Sequence, residues 1–354
     1  MTDDPDAAEA TEPARPTDPP GLPLDRLAPF LAAAAPGLLS GPLTGRVIAG
    51  GKSNLTYEVS DGAATVIVRR PPLGHVLATA HDMVREHRVI TALRDTSVPV
   101  PQTYAVCPGD DVIGAPFYVM ERVEGTPYRF EAQLAPLGAQ RVRAVSERMV
   151  DTLVALHHVD PADVGLADFG RPDGFLERQV RRWKHQLDAS RSRDLPGIDE
   201  LHDRLASSVP AQGDPTIVHG DFRLDNLLVT GDDEISAVLD WEMATLGDPL
   251  TDVALLEAYQ TLPLMMDSVV VSDVSRAPGF ISGPELRQRY AAASGRDLTH
   301  LSFHLGLAYF KLAVILEGIH YRYTRGQTVG GGFSSIGEAT VPLVTAGLAA
   351  VKES

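Results

Sequence analysis

One stretch, His219 to Glu242, narrows the folds open to this chain more than any other. It opens on His219-Gly220-Asp221-Phe222-Arg223-Leu224-Asp225-Asn226 and closes on Asp240-Trp241-Glu242. Between them Leu227-Leu228-Val229 is apolar, Gly231-Asp232-Asp233 has turn chemistry, and Ile235-Ser236-Ala237-Val238-Leu239 is apolar again. That order predicts a two-stranded hairpin. A hairpin of this length carries the chain back to its start, so Asp240 would face Asn226 across a shared cation. The plainer reading of the same residues is a helix cap at Asp225 with solvated carboxylates around it.

The surrounding chain changes character along its length. Residues 1–20 hold six acids, one arginine and five prolines, the composition of a disordered tail, which we extend to residue 22. Leu22 to Leu39 predicts a short helix stopped near Pro36-Gly37. Val47-Ile48-Ala49, Leu55–Val59, Ala63–Arg70 and Phe117–Met120 read as strands, and His81–Leu93 as a helix with Met83, His87, Ile90 and Leu93 at helical spacing. Beyond them the pattern is helical apart from the hairpin. Strands first and helices later is an α+β arrangement. The expected division is a first lobe over 23–121, a hinge over 122–127 and a second lobe over 128–354.

Phosphoryl transfer from a nucleotide needs a carboxylate to accept the attacking hydroxyl's proton, and oxygen ligands for the cations that bridge the phosphates. His219–Asn226 has the kinase catalytic-loop spacing, H-x-D-x-x-x-x-N. With the run Val238–Pro249 it resembles the aminoglycoside phosphotransferase family, small-molecule kinases of the two-lobed protein-kinase-like fold. Gly50-Gly51-Lys52-Ser53-Asn54, Arg69-Arg70-Pro71-Pro72 and Ala80–Arg88 resemble the branch related to kinase-like domains fused to acyl-CoA dehydrogenases. The resemblance runs over roughly residues 23–345.

That resemblance implies ATP and Mg²⁺ as cofactors, Asp221 as base, and Asn226 and Asp240 as metal ligands. Arg223 stands where protein kinases carry a lysine that reaches the γ-phosphate; pairing with Asp225 is its other reading. Gly50, Gly51 and Ser53 would lie in the turn that covers the phosphates. Arg69 matches the phosphate-gripping lysine at the end of its strand, and Glu86 the acid that pairs with that lysine. Alternation puts Arg69 on the face of Ile67 and its rival Arg70 on the other. Glu121 and Val123 resemble the hinge whose backbone holds adenine. Asp248 and Asp252 resemble residues that cap a helix and brace the catalytic loop. Trp183, Tyr309, Glu317, His320 and Arg322 lie where the family builds its acceptor pocket, with core packing as the alternative for Tyr309. For His157 we expect a packed helix face and no metal role.

The function expected is an ATP- and Mg²⁺-dependent transfer of phosphate to a hydroxyl of a small molecule. The branch favours a hydroxyacyl compound. The alternatives are an aminoglycoside acceptor and, because arginine replaces lysine at position 69, a nucleotide-binding module with little transferase activity. The net charge of −16 argues against a nucleic-acid partner. No A-P-E segment follows Asp240, which argues against a protein acceptor. Cys107, the single cysteine, is expected to be a small buried residue or a loop residue, and it excludes an internal disulfide. No signal-peptide pattern opens the chain, and apolar runs near Leu305–Tyr323 are interrupted by Lys311, Glu317 and Arg322, so a cytoplasmic protein without membrane spans is expected.

Overall fold

Prolines bracket the first helix, α1 (Leu24–Ala34), which begins after Pro23 and stops before Pro36-Gly37, burying Leu24, Leu27 and Leu31 at helical spacing. The computed structural model describes residues 18–48, 54–74, 82–211, 213–266, 271–328 and 331–352. It divides into two compact units: one holds the chain up to Val84 together with Thr103–Arg122, the other Arg85–Gln102 and the chain from Val123 onward. Residues 85–102, expected in the first lobe, therefore group with the larger unit.

In the smaller unit five antiparallel strands follow the order β1-β2-β3-β5-β4, namely β1 (Thr44–Val47), β2 (Leu55–Ser60), β3 (Thr65–Arg70), β4 (Thr103–Cys107) and β5 (Phe117–Glu121). Alternation sends Tyr57 and Val59, Val66 and Val68, and Phe117 and Val119 to one buried face, where they meet Leu27 and Leu31 of α1. Cys107 is buried in the same cluster. Arg70 is buried and its guanidinium donates to the carbonyls of Gly21 and Ile113, a structural role that fits its placement opposite to Arg69. Pro20 accepts from the Tyr57 hydroxyl and Leu22 is fully buried, so residues 18–22 belong to the folded unit. That corrects the tail drawn to residue 22: Leu22 packs into the apolar cluster, and hydrogen bonds at Asp18, Pro19, Pro20 and Gly21 hold its neighbours. The remainder of the expected tail lies outside the described residues. β4 is absent from the strands expected above; it is a short edge strand with only Ala105 and Cys107 buried.

In the larger unit α2 (Met83–Leu93, which starts at the end of the smaller unit) precedes a mostly helical chain: α3 (Glu131–Leu134), α4 (Ala139–His158), α5 (Phe175–Ser190) and α6 (Ile198–Ser207). Two small sheets interrupt the helices. β6 (Thr216–Val218) pairs antiparallel with β9 (Thr245–Gly247), and β7 (Leu227–Val229) with β8 (Ile235–Val238). The second pair is the expected hairpin; the first is an addition to it. Helices α7 (Leu250–Met265), α8 (Gly283–Ser294), α9 (Leu301–Thr324) and α10 (Thr340–Ala350) complete the unit.

Helix α9 is 24 residues long and apolar enough by length and composition to cross a membrane, which corrects the expectation that no run reaches that size. Its apolar window is 78% buried within the protein, as for a core helix. Lys311 and Glu317 lie within it nonetheless, each hydrogen-bonded to a neighbouring segment, Glu317 to Ser192 and Arg193 and Lys311 through one bond to the Gly220 carbonyl.

Candidate active site

The loop between β6 and β7 is held by hydrogen bonds from the end of the hairpin, from α7 and from α9. His219 is fully buried, its Nε2 2.9 Å from the Leu239 carbonyl and its Nδ1 3.2 Å from the Asp221 amide. Those partners assign the proton to Nε2, leaving Nδ1 as acceptor. Gly220 adopts φ +81°, and a Cβ there would sit 2.8 Å from the Met243 carbonyl oxygen, so only glycine fits without strain. Asp252, in the first turn of α7, accepts from the backbone amides of His219 at 2.6 Å and Gly220 at 2.8 Å. Lys311 of α9 donates to the Gly220 carbonyl at 2.9 Å.

This grip presents Asp221. Its Oδ1 accepts from the Tyr259 hydroxyl at 2.6 Å, and its Oδ2 from Asn226 Nδ2 at 3.1 Å. The same Nδ2 reaches the Asp221 carbonyl at 2.9 Å. Asn226 Nδ2 is thereby committed to Asp221, which leaves the lone pairs of Oδ1 as the amide's ligand for a cation. Leu239 donates to the Asn226 carbonyl at 2.8 Å, extending the hairpin register so that Asp240 comes next to Asn226 in the fold. Asp240 itself is left-handed, φ 66° and ψ 60°, a conformation that a non-glycine residue holds at a cost and that is frequent at functional sites. An amide oxygen and a carboxylate at the mouth of one hairpin are the donor types a hard divalent cation takes, so the residues fit one.

Arg223 pairs with Asp225 at 2.5 Å, lies 3.8 Å from Asp221, and stacks 5.0 Å from the Tyr259 ring centroid. Pairing with Asp225 was its second reading, and the structure makes that contact while keeping the guanidinium beside Asp221. Burial opposes its charge, but Asp221 and Asp225 outweigh burial and hold the group protonated above its ordinary range. Burial pushes the Asp225 carboxyl up, against the pull of Arg223. Tyr259 is driven well above a normal phenol, first by burial and then by the Asp221 charge.

Behind the loop lies a second row. His157 is buried, with Nε2 3.3 Å from Asp252 and Nδ1 2.8 Å from the Tyr290 hydroxyl. Burial pushes its pKa down, so it is neutral, donates from Nε2 to Asp252 and accepts from Tyr290 at Nδ1. Burial works against the Asp252 charge too, yet His157 and the His219 amide hold that carboxyl low. Asp248 accepts from the Leu250 amide at 3.0 Å, a capping contact at the start of α7, and lies 3.3 Å from His304.

The expected residues therefore divide. Asp221, Arg223, Asn226 and Asp240 converge on one loop and hairpin. Gly50, Gly51 and Ser53 lie outside the described residues. Arg69 is the next-to-last residue of β3, opposite Thr56 and Tyr118, Glu121 ends β5 opposite Val66, and Val123 lies two residues beyond it. Glu86 is buried on α2. Glu317 is no acceptor contact: it is fully buried, bound to Ser192 at 2.7 Å and Arg193 at 3.0 Å, because an isolated carboxylate inside a core must be paired. Tyr309 is buried and reaches Thr261, the core alternative. Arg322 is exposed, His320 is partly buried, and Trp183 is buried under Lys311.

Tyr259 and the loop contact of Lys311 were missed. Tyr259 lies seven residues after Asp252, on the same face of α7, and that spacing was a usable signal. Lys311 was visible as a lone cation in an apolar helix, which calls for a buried partner.

A five-stranded antiparallel unit, a mostly helical unit and this loop define a kinase-like fold and a phosphotransferase acting on hydroxyl groups of small molecules. A model of the phosphotransferase enzyme family (APH) matches residues 44–303, and the chain belongs to that family. It is 34% identical over 316 residues to acyl-CoA dehydrogenase family member 11 of Gallus gallus, covering 87% of this chain and 40% of that protein. It is 33% identical over 311 residues to family member 10 of Mus musculus, covering 86% and 29%. The chain thus spans less than half the length of these relatives. Among solved structures, a Ralstonia eutropha protein assigned as an aminoglycoside phosphotransferase superposes with TM-score 0.81 at 30% identity, covering 93% of this chain and 98% of that one. An aminoglycoside phosphotransferase complexed with GDP and kanamycin has TM-score 0.58 at 16% identity, covering 92% and 97%, which speaks to the fold alone.

Proposed function

We propose that this phosphotransferase moves the γ-phosphoryl group of ATP, taken up with Mg²⁺, to a hydroxyl of a small acyl compound. The observation that carries the reading is the state of Asp221, a carboxylate fixed through both oxygens by Tyr259 and Asn226 at the mouth of the hairpin that ends on Asp240. Asp221 orients the acceptor hydroxyl and takes its proton as the new O–P bond forms and the bond to the leaving diphosphate breaks. Arg223 offsets negative charge on the transferring group. Asn226 Oδ1 and the Asp240 carboxylate would hold Mg²⁺, which when bound neutralises phosphate charge. By resemblance, Gly50, Gly51, Ser53, Arg69, Glu86 and the backbone at Glu121 and Val123 serve the nucleotide.

The acyl acceptor is supported by the relatives' names, acyl-CoA dehydrogenase family members 10 and 11, whose remaining length lies beyond the matched region. The Ralstonia protein's assignment favours a second reading, an aminoglycoside acceptor. A screen of ADP release across hydroxyacyl-CoAs, hydroxy acids, aminoglycosides and sugars separates them. Fastest release with a hydroxyacyl compound is expected. Phosphorylation of kanamycin with no hydroxyacyl activity would overturn the acyl reading.

A further inference from the structure

Lys311 is a cation with capacity left over. An ammonium has three donors, and one is used on the Gly220 carbonyl at 2.9 Å. Its Nζ also lies 5.5 Å from the centroid of the buried Trp183 ring. Among the described residues it has no carboxylate within ion-pair distance, although the chain carries 47 acids against 31 bases. A partly buried, unpaired ammonium is costly unless something anionic completes it. Arg182 adds a second cation by the same ring: its guanidinium carbon lies 5.6 Å from the Trp183 ring centroid, the residue is exposed, and its charge opposes that of Lys311. Burial pushes the Lys311 pKa down while Asp221 and Asp252 pull it up. The carbonyl it holds belongs to the residue preceding Asp221, so the ammonium sits beside the group that orients the acceptor hydroxyl.

We propose that Lys311, with Trp183 and Arg182, forms an anion subsite that takes a carboxylate of the acceptor. The inference rests on the phosphotransfer reading, since Asp221 defines where the acceptor's hydroxyl lies, and it narrows the acceptor to a negatively charged molecule. The same ammonium disfavours an acceptor that brings ammonium groups of its own.

Trp183 reports on this subsite, since the chain holds only one other tryptophan, Trp241. The probe is 3-hydroxybutyrate, with 1,3-butanediol as the uncharged molecule of the same skeleton, titrated against the full chain while tryptophan emission is followed. A saturable change with the acid and none with the diol is expected. Lys311→Met should weaken the acid's binding about tenfold or more, and Lys311→Arg should recover part of it. Arg182→Met, at an exposed position, should weaken it by about two- to threefold. No saturable response to the acid, an equal response to acid and diol, or equal binding by wild type and the Lys311→Met protein would overturn the proposal. If Lys311→Met does not fold, equal binding by wild type and Arg182→Met overturns it instead. Asp221→Asn keeps the two readings apart. Lost turnover in that variant with unchanged titrations in the lysine variants removes the anion subsite alone, whereas normal turnover beside an intact anion response removes the role of Asp221 as base and leaves the subsite standing.

Discussion

Tyr259 and Asn226 share the work of holding Asp221, one at each carboxylate oxygen, and they reach it by different routes. Asn226 is five residues further along the loop, whereas Tyr259 comes from the helix that follows β9. Removing the tyrosine hydroxyl should leave nucleotide binding alone and misplace the base. Tyr259→Phe is expected to lower kcat about tenfold with the KM for ATP unchanged, the size of one charge-assisted hydrogen bond. Steady-state kinetics decides it, and an unaltered kcat would show that Asn226 suffices. This asymmetry also explains which residues could be read before the structure. Asp221, Arg223, Asn226 and Asp240 sit at fixed short spacings, so local pattern exposes them. Tyr259 and Lys311 arrive from helices whose apolar faces look like ordinary core, and only tertiary packing brings them to the loop.

The hairpin of β7 and β8 is the element on which the metal reading depends. Leu227 pairs with Val238, and the Leu239 amide continues the ladder to the Asn226 carbonyl, so Asp240 cannot be far from Asn226 unless the register slips. Asp225 is also acidic and one residue from Asn226, but its carboxylate is bound to Arg223. Asp240→Ala should therefore abolish most of the Mg²⁺-dependence of nucleotide binding, while Asp225→Ala keeps it. Calorimetric titration of ATP with and without Mg²⁺ tests this, and equal losses in the two variants would contradict the placement. The hairpin was legible because Gly231-Asp232-Asp233 marks its turn between two apolar runs. β4, β6 and β9 were not, since strands of three to five residues leave too few alternations to register.

At the scale of the molecule, the order of strands before helices carried the fold class, and the matched family and the kinase-like neighbours agree with it. The grouping of residues 85–102 with the helical unit was not legible, because it depends on packing rather than on chain order. Four tyrosines, Tyr57, Tyr290 and Tyr309 buried and Tyr259 partly buried, are all raised on folding, chiefly by burial. A phenol raised in the folded state stays neutral there at a pH where the unfolded chain ionises. Its contribution is complete below the unfolded value of about 10 and is lost as pH rises beyond it. Urea midpoints should hold steady up to about pH 9 and fall by about pH 11, with a shallower fall in Tyr259→Phe. A flat profile across that range would mean the phenols are not buried as described. The central claim is that this fold transfers phosphate with Asp221 as its base, and it is tested most directly by comparing ADP release in wild type and Asp221→Asn on the acceptor that the screen selects, with ATP binding measured on the same samples. The account predicts a fall in kcat of about 10²–10⁴-fold with ATP affinity retained; a variant that keeps more than about half of the wild-type kcat would contradict it.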